Sequence, residues 1–96
     1  MELVIIARFH CREGSEGAVA SALRGQVPKV RAEPGCLEIG AYVSTRDSRL
    51  FFIHSRWIDE AAFNVHADLA NTVQFVERME RLIDYPLDVS RVRAIA

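Results

Sequence analysis

"CLEIGAYVSTRDSRLFFIHSRW", residues 36–57, reads as a β-hairpin. Leu37, Ile39, Ala41 and Val43 alternate with Glu38, Gly40 and Tyr42, the two-residue period of a strand. The polar run Ser44–Arg49 turns the chain. Residues 50–57 are again β-branched and aromatic, and close on Trp57. Where this hairpin falls among the other elements decides the fold.

Upstream, "LVIIARFH" (3–10) is a strand by the same signs. After it, Val19, Ala22, Leu23, Gln26, Val27 and Val30 recur at helical spacing. Ser15 stands where an N-cap hydroxyl would accept from the first turn. Pro28 lacks an N–H and crowds the carbonyl four residues back, so a kink or a change of helix type is expected there. Pro34-Gly35 forces a turn. Downstream, Asp59 caps a helix that places Ala62, Phe63, His66, Leu69 and Ala70 on one face. A break is expected, with Asn71 or Thr72 restarting the helix. Thr72, Phe75, Val76, Met79, Leu82 and Ile83 then form an apolar stripe. Pro86 ends it, and residues 87–95 read as the last strand.

The order is β-α-β-β-α-β, the ferredoxin-like split βαβ arrangement of the α+β class. It predicts one domain over residues 1–96, with a four-stranded antiparallel sheet and helices on one face. Strands 3–10 and 50–57 are apolar on both faces: Leu3, Ile5, Ala7 and Phe9 against Val4 and Ile6, and Phe51, Ile53 and Trp57 against Leu50 and Phe52. Helices on one face cover only one of these sets. A homodimer packing sheet to sheet is therefore expected, closed twofold pairs being the commonest oligomers. A monomer with some exposed apolar surface is the alternative.

Composition narrows the function. The chain has 96 residues, half of them hydrophobic, and a formal net charge of −1. Eleven of its twelve basic residues are scattered arginines, which argues against a nucleic-acid surface. No run approaches the roughly 18 apolar residues of a membrane span. The first nine residues carry an acid at position 2 and do not resemble a signal peptide. Cys11 and Cys36 do not make a disulfide scaffold, so a reduced, cytoplasmic protein is the expectation. The five glycines form neither a dinucleotide fingerprint nor a P-loop. His10, Cys11, Cys36, His54 and His66 lack zinc spacing, so no metal is expected. Ser55 has no evident triad partners. Trp57, sharing a strand face with Phe51, Ile53 and Ser55, remains of interest. So do His54 on the opposite face and His66 beside Phe63 and Leu69.

"RAEPGCLEIGAYV" and "FFIHSRWIDEAAFNVH" together resemble the antibiotic biosynthesis monooxygenase (ABM) family of small dimeric α+β barrels. The shared signs are an E-P-G-C-like turn after a helix, a Phe-rich strand ending in Trp, an acidic helix start and then a His. The resemblance covers most of the chain in the same element order. It implies oxygenation of phenols or quinols by O₂ without a flavin or metal, because an electron-rich, deprotonated substrate can itself reduce O₂. The protein then removes a proton and shapes a dry pocket. His66 and Trp57 match the family's pocket His and strand Trp. They are the catalytic candidates, His66 for proton transfer and Trp57 for stacking on the ring. Phe9, Phe51, Ser55, Phe63, Phe75 and Met79 are the substrate-contacting candidates. The plain alternatives are a core histidine, a Trp anchoring the helix and ordinary core phenylalanines.

Two positions depart from the family. Ser55 stands where many relatives have Glu, and Asn71 where many have a second His. Ala7 replaces the first-strand Asn of the haem-degrading branch and no His follows His66, so haem degradation is disfavoured. The expected function is a cofactor-independent monooxygenase acting on a small aromatic molecule. The alternatives are binding or sensing of a hydrophobic metabolite in the same pocket, or a purely structural association domain. Fold resemblance alone does not choose between them.

Overall fold

The computed structural model describes all 96 residues, Met1–Ala96. The elements are β1 (Leu3–His10), α1 (Glu16–Arg31), β2 (Cys36–Val43), β3 (Leu50–Trp57), α2 (Glu60–Asp68), α3 (Ala70–Leu82) and β4 (Asp88–Val92). They form one antiparallel sheet in the order β2-β3-β1-β4, the ferredoxin-like topology. No helix is long and apolar enough to cross a membrane.

The hairpin and β1 pair in a register that sorts side chains by face. Leu3 lies opposite Trp57, Ile5 opposite Ser55, Ala7 opposite Ile53 and Phe9 opposite Phe51. Directly opposed residues point the same way, so these eight share the face under the helices. Two apolar clusters fill the space there. One joins Phe9, Val19, Leu23, Phe51 and Met79. The other joins Ile5, Val30, Ile39, Trp57 and Phe63. The reverse face carries Val4, Ile6, Phe52, His54 and Tyr42, with no layer above it. Ile6 is 43% exposed there and Tyr42 54%.

Local chemistry departs from the sequence expectation in five places. In β2, a bulge sets Cys36 opposite Trp57 but Glu38 opposite Arg56. Leu37 is the extra residue, and it lies half exposed instead of joining Ile39 and Ala41. Helix α1 stays α-helical through Pro28. The hydrogen bond lost there belongs to the Arg24 carbonyl, and Arg24 is exposed, so water can replace it. Ser15 takes the N-cap position of α1 without an extended backbone and makes no side-chain cap bond. Asp59 does cap, accepting from the Ala62 N–H at 2.8 Å. The break between α2 and α3 is Leu69, extended at φ −63° and ψ 140°, which places Asn71 and Thr72 already inside α3. Strand β4 covers Asp88–Val92, shorter than residues 87–95, because its partners on β1 run only from Val4 to Arg8.

Candidate functional site

Helix α2 turns Phe63 and His66, three residues apart, toward the sheet. Trp57, the last residue of β3, lies fully buried beneath them. The imidazole rests on the indole, with ring centroids 4.8 Å apart and planes inclined by 31°. The Phe63 ring stands 5.4 Å from His66 and meets Trp57 edge-on at 5.7 Å. The buried indole N–H donates to Ser55 Oγ at 3.0 Å, which satisfies it without solvent.

An acid reaches His66 from the turn between α1 and β2. Glu33 Oε1 lies 2.7 Å from His66 Nδ1. The two side chains are only 12% and 13% exposed. A carboxylate only accepts, so Nδ1 carries the proton, which leaves Nε2 as the basic nitrogen. The turn itself is held firmly. Glu33 N–H donates to the Val30 carbonyl, Cys36 N–H to the Glu33 carbonyl, and Ile58 N–H to the Gly35 carbonyl at 2.9 Å. Gly35 adopts φ +83°, and a Cβ there would stand 2.6 Å from the Ala62 Cβ. Only glycine permits this close approach of turn and helix. Thr72 Oγ1 is a longer contact of 3.4 Å to the same Nδ1.

His66 also borders a cavity of about 400 Å³ between the sheet and helices α2 and α3. Phe9, Phe63, Phe75 and Met79 contribute apolar wall, with Ala7 and Ile53 from the sheet. Arg91 of β4 and Thr72 are the other polar lining residues. The structure thus brings together five of the eight candidates: His66, Phe9, Phe63, Phe75 and Met79. The other three do not line this cavity. Trp57 sits behind His66 with no exposed surface, so it stacks on the imidazole and not on a ligand. Ser55 is buried as the acceptor for Trp57. Phe51 stacks on Phe9 at 5.9 Å within the core and borders a different groove. That groove, about 420 Å³ between α1 and β2, offers Arg24, Arg31 and Tyr42 but no histidine or carboxylate. It lacks a group suited to exchanging protons at neutral pH.

Glu33 and Arg91 escaped the sequence reading. Glu33 lies 33 positions from His66, and only the chain's return over the sheet joins them. Its one local sign is an acid directly before Pro34-Gly35.

His54 faces the open side of the sheet, opposite Ile6 and Gly40. At the far end of β1, His10 Nδ1 lies 2.7 Å from Asp84 and Nε2 lies 3.2 Å from Asp47. Each ring nitrogen faces a carboxylate, so this histidine ties two loops together and has no nitrogen left for a ligand. Burial pushes the Cys11 and Cys36 thiols up, away from the reactive thiolate.

Sheet topology and helix placement thus define a ferredoxin-like α+β domain, with an acid-supported histidine beside an apolar cavity. The chain belongs to the antibiotic biosynthesis monooxygenase family, whose model matches residues 3–78. It is 31% identical over 71 residues to the Bacillus subtilis (strain 168) protein named "Putative monooxygenase YcnE", spanning 74% of this chain and 75% of that protein. Among solved structures, it is similar to PA3566 from Pseudomonas aeruginosa, with a TM-score of 0.89 and 28% identity over 99% of this chain and 95% of that one. Rv0793 from Mycobacterium tuberculosis shares the fold at a TM-score of 0.92 and 21% identity, over 100% of this chain and 97% of that one. Glu33, Trp57 and His66 fall within the residues that match the family model, and Arg91 falls beyond them.

Proposed function

We propose that the protein is a monooxygenase for a small quinol-type aromatic, working through the cavity beside His66. The single observation that carries this reading is the Glu33–His66 pair at 2.7 Å on the edge of an apolar chamber. A buried carboxylate that holds one imidazole nitrogen makes the other a positioned base.

The chemistry balances without a bound redox group. His66 Nε2 takes a phenolic proton, and the electron-rich anion reduces O₂, forming a ring carbon–oxygen bond as a peroxide anion. The imidazolium returns its proton to the outer oxygen, and the O–O bond breaks as the same ring carbon gives up its hydrogen as the second proton of the departing water. One oxygen leaves as water and the other stays as a carbonyl. Overall, hydroquinone and O₂ give hydroxyquinone and water, and the substrate supplies all four electrons. Glu33 offsets the charge on the imidazolium between the two transfers. The apolar walls keep water away from the anion and the peroxide.

The reading includes a homodimer through the open sheet face, supported by Ile6, Phe52 and Tyr42, apolar or aromatic and without a covering layer. It requires neither flavin nor metal, and its partners are the aromatic molecule and O₂. The test is oxygen uptake with a panel of hydroquinones mixed in after anaerobic preincubation. Stoichiometric uptake that falls in His66→Ala supports the proposal. Ligand-dependent melting with no oxygen consumption would replace it with metabolite capture or sensing in the same cavity.

A further inference from the structure

We infer that the aromatic substrate carries one carboxylate, and that Arg91 binds it at the cavity mouth. This rests on the reading of the cavity as a quinol-oxidising site and specifies which quinols enter. Arg91 lies opposite Ile5 in the β1–β4 register, so it faces the helix layer. Its guanidinium carbon stands 4.9 Å from the centre of the Phe63 ring. Nη1 donates to Glu60 Oε2 and to Asn64 Oδ1, each at 2.8 Å. Both Nη1 hydrogens are therefore spent, and they fix the plane of the group. The Nε and Nη2 edge makes no hydrogen bond within the chain. That edge is the fork that grips a carboxylate through two parallel bonds.

Arg91 is the only cation that lines the cavity. Phe63 carries Arg91 on one contact and His66 on another, so the two polar groups flank one aromatic ring. A ligand matching this arrangement has an apolar ring, a hydroxyl for His66 and an anion for Arg91. Exposure places the anion at the mouth. The Arg91 side chain is 41% exposed, so a carboxylate there keeps part of its hydration, unlike one buried among Phe9, Phe75 and Met79. Glu60 does not close the site, because it holds one nitrogen only and its side chain is 62% exposed, where ion pairs are weak. Glu60 and Glu33 together select against a second negative charge on the ligand.

The experiment is calorimetric titration under argon with gentisate (a hydroquinone bearing one carboxylate), its methyl ester and plain hydroquinone. The wild type is expected to bind gentisate roughly 10- to 100-fold more tightly than the ester, the worth of a charge-assisted pair. Arg91→Gln is expected to bring gentisate down to the affinity of the ester. Arg91→Lys, which keeps the charge but loses the fork, is expected to fall between. Equal affinities for acid and ester in the wild type, or a preference that survives Arg91→Gln, would overturn the inference. Binding of hydroquinone or the ester under argon, followed by oxygen uptake when air is admitted, but with no gain for the acid, overturns it while leaving the quinol reading in place. Failure of all three ligands to bind removes both.

Discussion

Glu33 and His66 meet at 2.7 Å although they belong to different elements, and neither side chain is appreciably exposed. A contact of this kind fixes a tautomer as well as a position. In Glu33→Gln, an amide nitrogen or oxygen replaces the carboxylate, and the demand that Nδ1 carry the proton weakens. Nitrogen chemical shifts of His66 are expected to show the Nδ1–H form in the wild type and a mixture in the variant. Quinol oxidation should fall in Glu33→Gln, but by less than in His66→Ala. The latter loses on the order of 10²- to 10⁴-fold, the usual contribution of a general base.

Ser55 supports the same site from below. Removing its hydroxyl leaves the buried Trp57 N–H with no acceptor. Ser55→Ala is expected to cost about 1–3 kcal/mol in denaturant unfolding. Trp57→Ala, which empties a fully buried site, should cost about 3–5 kcal/mol. A Ser55→Ala protein as stable as wild type would mean that the indole finds another acceptor.

Gly35 and Gly17 make a matched pair. Gly35→Ala adds a Cβ at φ +83°, against the Ala62 side chain. The backbone strain alone is worth about 1–2 kcal/mol, and the clash adds to it. Gly17 sits in α1 with nothing within 4 Å of its missing Cβ. Gly17→Ala should stabilise the protein by about 0.5–1 kcal/mol. Thermal melts of the two variants are expected to move in opposite directions.

The open sheet face gives a prediction about mass. Sedimentation of the wild type at micromolar concentration should report two chains. Ile6→Glu, which puts a charge at the centre of that face, should report one. A wild-type protein that sediments as a single chain would remove the dimer from the proposed function.

Acid should loosen the far end of β1. The hydrogen bond from His10 holds the Asp84 carboxyl below its ordinary value of 3.8, and the Arg49 backbone N–H, aided by His10, does the same for Asp47. A lowered folded value stabilises the protein above the ordinary carboxylate range, and that stability is lost as pH falls through the folded value. The loss therefore begins near pH 3.8 and deepens below it. In His10→Gln, carboxyl titration followed by NMR should move the Asp84 midpoint up toward the ordinary value. Stability should then depend less on pH in this acid window.

The element order was legible because the hairpin and the helical stripes have clear periods, and because Pro34-Gly35 and Pro86 mark ends. What could not be read was set by contacts distant in sequence. Leu37 has the right spacing for the inner face of β2, yet the bulge that displaces it comes from pairing with β3. The apolar candidates divided in the same way. Phe63, Phe75 and Met79 sit on helix faces whose period points to the cavity. Phe51 alternates as expected but lies on the β2 side of Phe9, where it borders the groove against α1, and Trp57 is screened by the imidazole resting on it. Glu33 and Arg91 are ordinary surface charges in one dimension. They become site residues only when the α1–β2 turn and β4 are folded against α2.

The Glu33–His66 pair comes from the α1–β2 turn and α2, whereas much of the chamber wall comes from α3 and β4. In the proposed function, proton handling and ligand shape are thus written on separable stretches of the gene. Drift at Phe75, Val76 or Val89 can reshape the chamber without moving the imidazole or its acid. A lineage starting from this chain could reshape the chamber one wall residue at a time, keeping the Glu33–His66 pair throughout.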